Sequence, residues 1–243
     1  DDSTPPGGGG TGEPAAAAMV ASSDGALSAP AVVDFGALDG SASFEFHFTA
    51  IKAGASTAIA GNNAFAIKLD QWNEQGVFGT TEFGVADNLF TAVEGGSVNS
   101  VFDAPVHVVI VSDTAAGESH LYIDGALSGI WAGNIPFSGE TKVMGARLEQ
   151  ATDHMGEGSV MHSWATYSGL LTAAEIATMF EALPKIVGEL VAISITDDGK
   201  VLIEFTGSLM SADDVSGPYT AVEDATSPIT IDPDKATQFY KAE

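Results

Sequence analysis

The chain has no cysteine, which removes disulfides, thiolate nucleophiles, zinc fingers and iron–sulfur clusters together. It is nearly as poor in positive charge, with 8 Lys and Arg against 33 Asp and Glu and a formal charge of −25. A nucleic-acid surface needs clustered Lys and Arg to displace counterions from phosphates, and so few dispersed cations cannot build one. The same field repels anionic membranes and sulfated glycans. Long apolar runs are missing too. The longest, Val106–Val111, is broken by His107 and falls far short of the ~18 residues a membrane span needs. Neither nucleic acid nor membrane insertion is expected. The chain opens on Asp1-Asp2 with no export signal in view, which reads as a mature or trimmed chain. With its acidic, Gly- and Thr-rich composition it suits a secreted bacterial protein, extracellular or at the cell surface.

What is present fills 243 residues, 45% of them hydrophobic. That is enough for one large domain or one domain plus a small module, burying about 70% of the unfolded surface without staples. Residues 1–30 form a different polymer from the rest: Pro5-Pro6 and Gly7–Gly10 lack any hydrophobic period, so they read as a flexible Gly/Pro/Ala-rich arm. Within it Ala15, Ala16, Ala17, Ala18, Met19, Val20 and Ala21 suit either a short helix or a small-residue strand added to a neighbour's exposed sheet edge.

From Val32 the pattern turns to strands. Ser43–Thr49 alternates Phe44, Phe46 and Phe48 with Glu45 and His47, the period of a half-buried strand. Phe65–Leu69, Val77–Gly79, Phe83–Val85, Phe90–Val93 and Trp164–Tyr167 read as further strands, and Val106–Val111 as one buried on both faces. His120–Ile123, Asp124-Gly125 and Ala126–Ile130 spell a hairpin. A capping box, Thr172-Ala-Ala-Glu175, opens a helix with Ile176, Met179, Phe180 and Leu183 on one stripe, and Pro184 stops it. Beyond it Val191–Thr196 and Val201–Thr206 flank the turn Asp197-Asp198-Gly199-Lys200. Shorter strands follow near Tyr219–Val222, Ile229–Ile231 and Gln238–Lys241. Many short strands with frequent turns mean a sandwich or barrel. The expected organisation is an arm at 1–30, a main domain at 31–186 and a small C-terminal β module at 188–243.

Val106–Leu127 (VHVVIVSDTAAGESHLYIDGAL) resembles the strand pair of the laminin-G-like, concanavalin A-like jelly rolls. Val143–Leu183 is similar to that family's closing segment, in which an aromatic-Tyr step leads to Leu-Thr-x-x-Glu-Ile at a short helix. Gln71–Phe90 looks like a strand pair of bacterial members, and residues 188–243 resemble a short C-terminal β-repeat of large bacterial surface proteins. Pro105-Val106 replaces the family's usual Trp before the His. The resemblance implies an all-β, laminin-G-like jelly-roll sandwich with one short helix. It also implies a binding or adhesion role, often toward glycans and often calcium-assisted, although some relatives are glycosidases. Fold alone does not choose among these.

The residues argue against catalysis. No pair of carboxylates stands at the strand spacing that retaining glycosidases use, and neither a G-x-S-x-G elbow nor a phosphate loop occurs. His47, His107 and His120 read as strand residues with ordinary partners, and Trp164 as core. No cofactor is required; calcium, which needs only loop oxygens, has candidates in Asp153 with Glu157 and in Asp87 with Asn88. For stacking on a neutral polysaccharide the candidates are Trp131 beside Asn134, then Trp72 and Tyr122. Two readings follow. One is a self-assembling subunit of an extracellular fibre or surface layer, bound to copies of itself through its arm. The other is a lectin-like glycan-binding module.

Overall fold

Phe44, Phe46 and Phe48, all fully buried, point one way from β3 (Ala42–Thr49). The free energy of hiding such side chains, roughly 1.5–3 kcal/mol each, forces a second layer over that face. The computed structural model describes residues 17–183, 190–196, 198–223, 225–232 and 238–242, in two units divided after Ala182.

The first unit is an antiparallel β-sandwich. Its strands before β3 are β1 (Ala18–Ser22) and β2 (Ala31–Asp34), and those after it are β4 (Thr57–Gly61), β5 (Phe65–Asp70), β6 (Gly79–Glu82), β7 (Ala86–Leu89) and β8 (Thr91–Ala92). Next come β9 (Pro105–Asp113), β10 (Glu118–Ile123), β11 (Ala126–Trp131), β12 (Glu140–Val143) and β13 (Val160–Ser168). One sheet has seven strands in the order β1-β13-β3-β9-β10-β11-β8, and the other six in the order β2-β12-β4-β5-β6-β7. Between them Phe35 lies tilted against Trp164 with ring centroids 5.1 Å apart, and Phe137 meets Phe35, Phe44 and Phe65 edge-on at 5.8–5.9 Å, the geometry aromatic quadrupoles favour. The Asp-Gly hairpin joins β10 to β11 with both turn residues left-handed, Asp124 at φ 49° and Gly125 at φ 80°, as a twist-matched two-residue turn requires.

The helix α1 (Ala173–Ala182) starts where its capping box places it. The Glu175 carboxylate accepts from Thr172 N at 2.7 Å, and Glu175 N donates back to the Thr172 hydroxyl at 3.2 Å. Ile176 is buried against Val109, Tyr122 and Tyr167 on the outer face of the seven-stranded sheet, and Phe180 stacks on His107 at 6.0 Å between ring centroids. Around it lies a polar set: His107 Nε2 and Glu45 Oε1 are 3.0 Å apart, the Tyr167 hydroxyl donates to Glu45 Oε2 at 2.7 Å, and the rings of His47 and His162 lie 4.8 Å apart.

Two local readings change. Residues 83–85 make a turn between β6 and β7, closed by Val85 N to Glu82 O at 2.9 Å with Gly84 at φ 80°. Residues 18–22, expected within a flexible arm, form β1 and pair with β13 of their own chain, Ala18 opposite Ser168 and Ser22 opposite Ala165. The small side chains allow the close approach of strands foreseen for them, but the edge they complete is their own. Ala15 and Ala16 lie outside the described residues.

The second unit comprises two three-stranded sheets. β14 (Leu190–Ile195), β15 (Val201–Phe205) and β18 (Ile229–Ile231) make one; β17 (Thr220–Ala221), β16 (Leu209–Ala212) and β19 (Phe239–Ala242) make the other. Ile203, Phe205 and Leu209 form its core. Asp197 of the expected turn lies outside the described residues.

Candidate functional site

Alternation along β5 sends Phe65, Ile67 and Leu69 into the core and so turns Ala66, Lys68 and Asp70 to the outer face of the six-stranded sheet. Register then puts Thr81 of β6 beside Ala66, and Asp87 of β7 beside Thr81. Gly79 is required here, because a Cβ would come within 2.3 Å of the Asn88 carbonyl oxygen and 3.1 Å of Gln71 Nε2. An open cleft of about 830 Å³ lies on this face, with Ser56, Lys68, Trp72, Thr81, Phe83, Asp87 and Asp153 in its walls, within the size range of ligand sites.

Asp87 organises one wall. Its Oδ2 accepts from the Trp72 indole Nε1 at 3.0 Å and from Asn73 Nδ2 at 2.9 Å, while Oδ1 accepts from the Thr81 hydroxyl at 2.7 Å. Trp72 leaves β5 just past its end, and its backbone N donates to Gln71 Oε1 at 2.9 Å. The indole is therefore held in place while 58% of the residue stays exposed. That combination is unusual, since so large an apolar ring gains from burial.

Lys68 organises the other wall. Although a lysine, it is 1% exposed; its Nζ donates to Ser56 Oγ at 3.1 Å and forms an ion pair with Asp153. Burial pushes its pKa down, while Asp153 pulls it back up. Phe83 takes the Arg147 guanidinium over its face at 3.9 Å, with Lys68 Nζ 5.9 Å from the same ring centroid, a cation–π arrangement. Nearby, Lys52 pairs with buried Asp70 at 2.8 Å.

Three residues chosen from the sequence, Trp72 for stacking and Asp87 and Asp153 for calcium, meet in this cleft. The others do not join them. Trp131 packs against Phe65 and Phe90, with ring centroids 5.9 and 6.3 Å away. Asn134 ties a turn through Nδ2 to Asp113 O at 2.9 Å. Tyr122 is buried beneath α1. Glu157 sits in an exposed turn. Asn88 is held in β7, with its carbonyl 3.5 Å from Gln71 Nε2. Among the described residues no group of three His, Asp or Glu converges as a metal site would require. Lys68, Thr81, Phe83 and Arg147 escaped the sequence reading. For Lys68 and Arg147 the signal was the scarcity of cations, which makes each Lys and Arg of the chain worth tracing; Thr81 and Phe83 carried none.

No protein-family model matches the chain, and no curated protein matches it. Among solved structures, the CBM40 of the Ruminococcus gnavus IT-sialidase bound to α2,3-sialyllactose overlaps 67% of this chain and 100% of its own, with 13% identity and a TM-score of 0.48. The leech intramolecular trans-sialidase is similar over 77% of this chain and 33% of its own, at 11% identity and a TM-score of 0.46. For the K499G mutant of NanB sialidase from Streptococcus pneumoniae the figures are 84% and 36%, 12% identity and 0.45. The chain thus spans about a third of the length of these last two.

Proposed function

We propose that the sandwich unit is a non-catalytic carbohydrate-binding module that seats a glycan in the cleft on its six-stranded sheet, outside the cell. The observation that carries this reading is Trp72. An indole locked by the Asp87 carboxylate, with its face open to a cleft, is a stacking platform whose ordering cost is met before the ligand arrives. The hydroxyls of Ser56 and Thr81 and the charged walls supply the few polar groups that orient a ligand. The two inner carboxylates serve as acceptors for fixed donors, Asp87 for three groups and Asp153 for Lys68. Neither is placed as the protonated acid or the free nucleophile of a glycosidase.

The assembly reading loses its structural motive where β1 pairs with β13 of its own chain. The cleft reading is tested by a glycan microarray carrying neutral and carboxylated sugars, followed by calorimetry on its ligands. Covering half an indole face is worth on the order of 2 kcal/mol, so Trp72→Ala weakens binding tenfold or more while the control Trp131→Phe leaves it intact. A blank array, or full affinity in Trp72→Ala, overturns the assignment.

A further inference from the structure

Four side chains in the cleft walls carry a hydrogen-bond donor, Ser56, Lys68, Trp72 and Thr81, and each is already engaged. The Ser56 hydroxyl donates to the Asp70 carbonyl at 3.2 Å, the Trp72 indole to Asp87 Oδ2 at 3.0 Å, and the Thr81 hydroxyl to Asp87 Oδ1 at 2.7 Å. Lys68 Nζ donates to Ser56 Oγ and Asp153 Oδ2, lies 5.9 Å from the centre of the Phe83 ring, and is buried. Acceptors are what remain free. An ionised carboxylate offers about four lone-pair sites. Asp87 has three of them filled, by Trp72, Asn73 and Thr81. Asp153 gives Oδ2 to Lys68, while its Oδ1 has no partner among the described residues and its side chain is 31% exposed. Charge runs the same way. Lys68 and Asp153 offset each other, whereas Glu82 and Asp87 have no ion-pair partner among the described residues. Arg147 lies over the Phe83 ring and is not one of the wall residues.

We propose that the cleft recognises a neutral sugar through the hydrogens its hydroxyls donate, and that it turns carboxylated sugars away. This rests on reading the cleft as the glycan site. A pyranose lying on the Trp72 indole carries hydroxyls around its rim, and each can donate as well as accept. Asp87, bonded to that same indole, supplies one acceptor site, and Asp153 in the opposite wall supplies others. A hydroxyl that donates to a carboxylate makes a bond roughly twice as strong as one between neutral groups. A sugar carboxylate can only accept. It finds no free side-chain donor in the walls, so the water it gives up on entry is not replaced. It also stands among wall carboxylates of its own sign.

The experiment uses the full chain and pairs of tetrasaccharides built from glucose and glucuronic acid, galactose and galacturonic acid, and mannose and mannuronic acid. The members of a pair share ring stereochemistry and linkage and differ only in whether C6 is an alcohol or a carboxylate. Calorimetry gives the affinities. In at least one pair the neutral sugar binds about tenfold or more tightly than its acid. Its hydroxyls are then replaced one at a time by fluorine, which cannot donate. At one position or more this costs about tenfold, and an ammonium group at that position restores binding. Asp87→Asn, shown to be folded by urea unfolding, narrows the gap between sugar and acid, and Trp72→Ala weakens the neutral sugar. The donor reading is refuted, while the cleft stands, by any of three results: an acid that binds as tightly as its neutral partner, full affinity in every fluorinated analogue, or an unchanged gap in folded Asp87→Asn. If no member of any pair binds, the cleft reading falls and takes this one with it.

Discussion

His47 offers the sharpest test of the sandwich itself. It is 7% exposed on the outer face of the seven-stranded sheet, and burial is the main cause that brings its pKa down from 6.5 to about 4. His162 and His107 press in the same direction, while Asp124 and Glu45 oppose them less strongly. The unfolded chain takes a proton at His47 near pH 6.5 and the folded chain only near 4. Above pH 6.5 the residue is neutral in both states and costs nothing. As pH falls from 6.5 to 4 the unfolded state alone binds the proton, and stability declines by about 1.4 kcal/mol per pH unit. The full loss, on the order of 3 kcal/mol, is complete below pH 4 and is a large part of the 5–15 kcal/mol typical of a domain. Burial also lowers the His162 pKa, which adds a loss of the same sign. The assay is urea unfolding at closely spaced pH values between 7 and 4, for the native chain and for His47→Gln. The variant removes this one proton, so the difference between the two curves isolates it from the chain's many carboxylates. Native stability should fall relative to the variant by about 3 kcal/mol across that window. Parallel curves, or an NMR titration placing His47 near 6.5, would refute the burial argument.

Two further outcomes follow from the cleft. Millimolar calcium should leave the melting temperature and glycan affinity unchanged, because an ion at Asp87 or Asp153 must displace three donors or the Lys68 ammonium; a clear rise in thermal stability with calcium would contradict this. Gly79→Ala should destabilise the sandwich by roughly 1–3 kcal/mol through overpacking against the β7 backbone, and should weaken glycan binding by disturbing the Asp87 anchor. Denaturant melts together with calorimetry check both effects, and a variant of native stability would show that β6 and β7 separate at little cost.

Elements with a strong local signature were legible in the sequence. The Phe-x-Phe-x-Phe of β3, the Asp-Gly turn after β10 and the capping box of α1 each state their conformation within a few residues. β4 and β12 were missed for the opposite reason. All of β4 is buried, and so are Thr141, Lys142 and Val143 of β12, so these strands are covered on both sides and show no alternation to read. Phe83–Val85 carried strand-forming residues, yet Gly84 turns the chain back there. The cleft was half legible. Trp72, Asp87 and Asp153 could be named, but Lys68 and Asp153 are 85 positions apart, and nothing local announces their meeting. Trp131 looked exposed beside Gly133 and Asn134 because its cage, Phe65 and Phe90, comes from distant parts of the chain.

The pairing of β1 with β13 has a bearing on how the chain reaches this structure. Ala18 lies opposite Ser168, and β13 in turn supplies one flank of β3. β3, flanked on its other side by β9, therefore lacks one of its two neighbours, and β1 its partner, until the last strand of the sandwich exists. Such long-range closure makes folding slow and concerted. A chain emerging from the ribosome can hold no stable seven-stranded sheet before residue 168 has been made. The sandwich thus assembles late and as a whole, with β13 the strand that locks its seven-stranded sheet.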